Sequence, residues 1–146
     1  MNKKLFAALT GASLLFAGCS STSSTASSTA DAGETSHTAY VDHDGNEISA
    51  TVTKKDGKIT AVSIDEATED GKTKKELGEE YGMKSASGIG KEWNEQIEFL
   101  ENYIVEHGAD SVKLDADGYA EDEDVRSGVT INLSKIMEAV DEAAAE

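Results

Sequence analysis

Cysteine and histidine, which supply many nucleophiles and zinc ligands in proteins, are rare in this sequence of 146 residues. Cys19 is the single cysteine, so the chain cannot form an internal disulfide. The histidines His37, His43 and His107 are scattered along the chain and offer no metal-ligand cluster, so no zinc or redox-metal site is predicted. No Ser/His/Asp grouping has the setting of a nucleophile elbow, and we predict no catalytic residues.

The position of Cys19 indicates lipidation. A charged start at residues 2–4 precedes an apolar run from Leu5 to Phe16, which is shorter than the roughly 20 residues of a membrane-spanning helix. This order is that of a secretory signal peptide, and the small pair Ala17-Gly18 before Cys19 resembles the end of a lipobox. We therefore expect residues 1–18 to be removed and Cys19 to be acylated, for example with palmitate. The protein would then be anchored on the extracytoplasmic face of the cell membrane.

The most informative motif is Asp124-Val125-Arg126-Ser127-Gly128-Val129-Thr130. It resembles the flavin-attachment motif of the FMN-binding domain family, which has an Asp, two variable residues, Ser or Thr, Gly, Ala, and the Thr that is esterified to FMN phosphate. Asp124, Ser127, Gly128 and Thr130 match it position by position. Val129 replaces the usual alanine, and Asn132 stands where a Ser or Thr is common.

The resemblance covers about residues 40–146. The hairpin from Val52 to Ile64 is similar to that family, and segments 81–84 and 89–93 are similar to its surface-lipoprotein branch. The resemblance implies that a flavin transferase attaches FMN covalently to Thr130. It also implies that the protein carries electrons from a membrane-linked donor to acceptors beyond the membrane, as a carrier more than as a stand-alone enzyme.

Physical chemistry is consistent with Thr130 as the attachment point. A threonine just ahead of a helix places an ester-linked phosphate near unpaired backbone N–H groups and the positive end of the helix dipole. Gly128 lets the backbone turn sharply and leaves Thr130 open to a transferase. An ordinary Ser-Gly turn before a helix is the alternative interpretation.

Three aromatic residues, Tyr81, Trp93 and Tyr119, are candidates to stack on a flavin ring. Trp93 lies within an apolar helical stripe and is expected in the core. Segments 42–45 and 115–118 resemble the first half of a calcium loop, but neither continues with the third acid and the distal glutamate. We interpret both as solvated turns.

Local patterns predict the elements that must position these residues. Alternating residues from Ile48 to Thr53, the pair Asp56-Gly57 and the run Ile59 to Ile64 predict an antiparallel hairpin. Apolar residues at helical spacing predict one helix over 89–104 with a C-terminal cap at Gly108, and a final helix over 133–144 with Asn132 as its N-cap. Any helix over 74–81 would be short. Val112 and Leu114 suggest a third strand. An α+β domain with a small antiparallel sheet is expected.

Composition divides the chain into three parts. Residues 1–18 are the signal peptide, residues 19–38 form a lipidated, Ser/Thr-rich spacer without a core, and residues 39–146 match a single domain. The formal net charge of −16 argues against nucleic acid as a partner, because both would be strongly negative. A binding or interaction lipoprotein of the same fold without flavin is the alternative function. Release of a peptide pheromone from the signal peptide is a minor third interpretation.

Overall fold

The computed structural model describes residues 33–146, and the predicted signal peptide and Cys19 lie outside the described residues. The described part forms a three-stranded antiparallel sheet and four α-helices, which confirms the α+β class. The strands are β1 (Glu34–His43), β2 (Asn46–Lys55) and β3 (Lys58–Glu66). The helices are α1 (Lys74–Leu77), α2 (Trp93–His107), α3 (Glu123–Arg126) and α4 (Ser134–Ala145), with 3₁₀ turns at Gly78–Tyr81 and Ala109–Ser111.

The predicted hairpin is confirmed as β2 and β3. Asp56 and Gly57 form its turn, with φ angles of 52° and 77°, because the two central residues of a tight hairpin turn need positive φ. The pairing shifts register between Thr53 and Lys54. Beyond this shift, Val62 and Ile64 face the core, whereas Ala61 is exposed on the other face.

The third member of the sheet is β1, which precedes the hairpin in the chain. The prediction of a strand around Val112 and Leu114 is therefore wrong. That region has the 3₁₀ turn Ala109–Ser111 and a single bridge from Leu114 to Ala120. β1 begins at Glu34, inside the range predicted to be spacer. Its hydroxyl side chains pair with those of β2, for example Ser36 with Thr53 at 2.7 Å. A Ser/Thr-rich sequence thus forms a strand when a partner strand supplies the complementary hydroxyls.

The two long helices, α2 and α4, pack on one face of the sheet and enclose the core. α2 contacts β3, and α4 contacts β1 and β2. Gly108 ends α2 with a positive φ of 88°, as its cap position predicted. The core between helices and sheet contains the following fully buried side chains: Ile48, Val52, Ile64, Ile97, Leu100, Ile104, Leu133 and Val140.

The start of α4 differs slightly from the expectation. Leu133 occupies the N-cap position, and it has no polar side chain. Asn132 still satisfies the helix start, because its Oδ1 accepts the Ser134 N–H at 3.0 Å. Its Nδ2 donates to the Asp117 carbonyl at 2.7 Å, which fixes the preceding turn against the helix. Asn132 therefore caps α4 with its side chain, although it lies one residue before the N-cap position.

Candidate functional site

A cavity of about 450 Å³ lies where the sheet, α1, the following loop and the start of α4 meet. We call it the Thr130 cavity. Residues from all of these elements line it: His43, Ile48, Glu66, Lys74, Tyr81, Met83, Ala86, Ser87, Gly88, Trp93, Tyr119, Thr130, Ile131, Asn132, Lys135 and Ile136. The structure thus brings residues that are far apart in sequence to one solvent-accessible site.

Thr130 is exposed at this cavity, but its backbone and hydroxyl are held from the interior. The Thr130 N–H donates to Gln96 Oε1 at 2.8 Å. The Thr130 hydroxyl donates to the same oxygen at 3.4 Å. Gln96 lies on α2 and is fully buried, with 0% of its surface exposed. The exposed residue Thr130 is therefore anchored by a buried side chain.

The loop before α2 forms a wall of the cavity and is tied to the same helix. The buried Glu92 carboxylate accepts the Met83 and Lys84 N–H groups at 2.8 and 3.0 Å. Gln96 Nε2 donates to the Lys91 carbonyl at 3.2 Å and to Ser87 Oγ at 3.3 Å. The charge-assisted bonds of Glu92 and the neutral bonds of Gln96 together hold a loop without regular secondary structure. The first turn of α2 thus sets the positions of both the loop and Thr130.

The other residues of the flavin-attachment motif lie outside the walls of the Thr130 cavity. Asp124 is exposed in α3, and its carbonyl accepts a hydrogen bond from Ser127 Oγ at 2.7 Å. This local bond stabilises the turn that follows α3. Val129, the departure from the usual alanine, has only 1% of its surface exposed. Its branched side chain therefore packs in the core, and it also borders a smaller cavity beside Thr130.

Gly128 is required for a different reason than the predicted sharp turn. It is not among the residues with positive φ. A Cβ built at Gly128 would lie 2.3 Å from ring carbons of Phe99, a contact that real side chains do not make. The ring of Phe99 on α2 therefore occupies the space of a side chain at position 128. Close packing, rather than backbone freedom, explains this glycine.

The three aromatic candidates all line the Thr130 cavity. Trp93 is a core residue with 2% exposure, as expected, and one side of it faces the cavity. Tyr81 and Tyr119 are 38% and 44% exposed. Lys74 Nζ lies 5.1 Å from the centre of the Tyr81 ring and 5.4 Å from that of Trp93. The wall on this side is aromatic and also carries a cation.

A charged cluster that the sequence did not indicate lies in the same cavity. The Glu66 carboxylate is 3% exposed and pairs with Lys74 Nζ at 2.8 Å and with His43 Nδ1 at 3.1 Å. Its members come from β1, β3 and α1, so no local spacing connects them. Lys135, which also lines the cavity, donates to the Glu138 carboxylate at 2.7 Å, and this hydrogen bond raises the pKa of Lys135.

A smaller cavity of about 190 Å³ adjoins Thr130 on another side. Asp115, Tyr119, Arg126 and Thr130 are among the residues that line it. Arg126 is the only arginine of the chain, and none of the ion pairs found within residues 33–146 includes it. A guanidinium is well suited to a phosphate because its donors match two phosphate oxygens. Arg126 is a candidate phosphate ligand that the motif comparison missed.

No protein-family model and no curated protein matches this chain. The chain is similar to a protein from Clostridium thermocellum whose solution structure was determined by NMR. The two are 27% identical, and the match covers 75% of this chain and 88% of that chain with a TM-score of 0.51. This likeness concerns the fold, and it brings no ligand or activity with it.

Within residues 33–146, no group of three or more His, Cys, Asp or Glu side chains has the arrangement of a metal site. Asp115 forms a tight turn, in which its Oδ1 accepts the N–H groups of Asp117 and Tyr119 at 2.9 and 3.0 Å. Over the same residues, no helix has the length and apolar character needed to cross a membrane.

Proposed function

We propose that this protein is a lipid-anchored, extracytoplasmic electron carrier with FMN esterified to Thr130. One observation carries the proposal. The residue that matches the family's acceptor threonine is exposed and lines a cavity with aromatic and cationic walls. Such a site combines an attachment point with surfaces for a ring and for a phosphate.

The residues around Thr130 fit FMN in size and in chemistry. The cavity of about 450 Å³ falls within the range of about 300 to 1,000 Å³ that is usual for small-molecule sites. Arg126 and Lys135 lie on two sides of Thr130 and are cations that can hold the phosphate. Asn132 bonds the Ser134 N–H, but the next two N–H groups, of Lys135 and Ile136, lack acceptors within the helix and favour an anion. Tyr81, Met83 and Tyr119 offer apolar surface to a ring.

When bound, FMN supplies electron transfer, and the chain supplies attachment, orientation and electrostatics. Gln96 fixes Thr130, and the bonds of Glu92 to the loop at 83–84 hold the wall opposite α4. Lys74 is fixed between Glu66 and two aromatic rings, so its charge stays at the cavity. A covalent bond suits an exported carrier, because FMN that dissociates outside the cell is lost.

The intact mass and visible absorbance of the protein purified from its native host test this proposal. We expect one FMN per chain in the wild type and none in Thr130→Ala, while Thr60→Ala, which changes another exposed threonine, keeps its flavin. A colourless wild-type protein of unmodified mass would contradict the proposal and favour a binding lipoprotein without flavin. Material from a host without the transferase is unsuitable for this measurement.

A further inference from the structure

The buried side chain of Gln96 makes direct contact with the proposed attachment residue. On the basis of the function proposed above, we propose that Gln96 is a positioning residue, whose amide oxygen orients the Thr130 hydroxyl for flavin transfer. Its Oε1 accepts both the Thr130 N–H at 2.8 Å and the Thr130 hydroxyl at 3.4 Å. Gln96 lies 34 positions before Thr130 in the sequence, and no element of the attachment motif includes it.

The orientation of the Gln96 amide is fixed by its partners on both sides. Its NH₂ group faces the Lys91 carbonyl at 3.2 Å, and a carbonyl can only accept. Its oxygen faces the Thr130 N–H, which can only donate. A flipped amide would leave two buried polar groups unsatisfied, which is costly in a side chain with no exposed surface. An acceptor oxygen is therefore always directed at Thr130.

This contact has a defined consequence for the Thr130 hydroxyl. Because its hydrogen points at the buried Gln96 oxygen, the lone pairs of Thr130 Oγ1 point away from the core, where a transferase can approach. In the transfer step, Thr130 Oγ1 forms a bond to the FMN phosphorus of the flavin dinucleotide, and the bond from that phosphorus to the bridging oxygen breaks. AMP leaves with the bonding electrons, and as the new bond forms the hydroxyl turns from Gln96 Oε1 and releases its proton to a base of the transferase. Gln96 cannot take that proton, so its role is positioning.

Kinetics of flavin transfer to purified variants test the inference, with the flavin dinucleotide and the host transferase as reagents. Gln96→Met keeps the length of the side chain but removes the acceptor, so we expect kcat to fall about five- to tenfold with little change in KM. Gln96→Glu keeps an oxygen within reach of Thr130 and should retain most of kcat. Asn102→Met, on the exposed side of the same helix, is the matched control and should behave as the wild type.

Thermal unfolding separates positioning from a purely structural role. Both Gln96 variants disturb a buried network, so both should lower Tm, but only Gln96→Met should lower kcat. Loss of kcat in both variants in proportion to their loss of Tm would overturn the inference. If Gln96→Met accepts flavin at the wild-type rate, the role of Gln96 is overturned but the proposed function stands. If the wild-type protein accepts no flavin, both are overturned.

A measurement on the wild-type protein applies even if Gln96→Met does not fold. Esterification removes the hydrogen of the Thr130 hydroxyl, so Gln96 Oε1 loses one of its two donors. We expect the side-chain amide resonances of Gln96 in NMR spectra to shift on flavinylation, while those of Asn102 stay unchanged. Unchanged Gln96 resonances in fully flavinylated protein would overturn the inference.

Discussion

At the scale of single residues, Gly128 lies against the ring of Phe99, and the contact leaves no room for a side chain. Overpacking of a well-packed core usually costs about 1 to 3 kcal/mol. We therefore expect Gly128→Ala to lower the free energy of unfolding by about that amount, measured by chemical denaturation. The same substitution should also displace α2 from the turn that carries Thr130.

A second substitution distinguishes packing from a role of Gly128 in the attachment motif. Phe99→Leu removes the ring that the new methyl group would strike, so the double variant should recover part of the stability lost in Gly128→Ala. Adding the separate effects of Phe99→Leu and Gly128→Ala on the free energy of unfolding gives the stability expected for independent sites. If the double variant is no more stable than this sum, the close contact does not explain Gly128.

At the scale of elements, α2 protects the outer edge of the sheet. β3 is an edge strand, and such strands expose unpaired N–H groups that invite association. The Ile64 N–H of β3 donates to Glu101 Oε1 on α2 at 2.6 Å, and Lys75 from α1 bonds the same carboxylate. One side chain thus satisfies one N–H group of the strand edge and links the strand to two helices. The docking of α2 that positions Gln96 depends in part on this bond.

The C-terminal part of α4 contains a carboxyl group in an unfavourable setting. Burial, and then repulsion from Asp110, raise the pKa of Asp141. The folded state therefore binds this proton more readily than the unfolded state. The resulting stabilisation is complete below the unfolded pKa of about 3.9 and is lost as the pH rises through the higher folded pKa. At neutral pH the ionised Asp141 destabilises the fold.

Replacement of this carboxyl group should stabilise the protein in a pH-dependent way. We expect Asp141→Asn to raise the free energy of unfolding at about pH 7 by less than about 1 kcal/mol, because the site is largely solvated. The gain should vanish at about pH 3, where the carboxyl group is protonated in both states. Asp110→Asn should lower the pKa of Asp141 in an NMR titration, and an unchanged pKa would contradict the stated repulsion.

At the scale of the whole molecule, a short stretch of chain connects the predicted anchor at Cys19 with the sheet. β1 begins at Glu34, so 15 peptide steps at most separate the sheet from Cys19, which corresponds to a reach of about 50 Å. This is shorter than a spacer to residue 38 would allow. If Cys19 is lipidated, the proposed flavin stays within a few nanometres of a membrane-linked donor.

Loss of the anchor should separate flavin attachment from electron transfer. We expect Cys19→Ala to be released from the cell with its flavin still bound, because Thr130 and its surroundings are unchanged. Reduction of an extracellular acceptor by whole cells should fall, since the donor stays in the membrane. Full extracellular reduction by cells that produce only Cys19→Ala would contradict the proposed link between anchor and function.

Local patterns determined much of this fold before any tertiary contact was known. The Asp56-Gly57 turn, the apolar stripe of α2 and its end at Gly108 follow from backbone geometry and helical period, which act over a few residues. The same patterns gave wrong predictions at two places. Residues 34–38 were predicted as spacer from their Ser/Thr composition but belong to β1, and the strand predicted around Val112 is not formed. In both places the outcome depended on whether a partner strand lay alongside.

The sequence by itself determined the hairpin, the two long helices and Thr130 as the candidate residue. Only the tertiary structure decided what surrounds Thr130: Gln96 from α2, and Glu66 paired with Lys74 and His43. The physical reason is that a periodic pattern shows which face of an element is buried but not which element it meets. Contacts between distant segments follow from the packing of helices on the sheet, and these contacts set the geometry of the site.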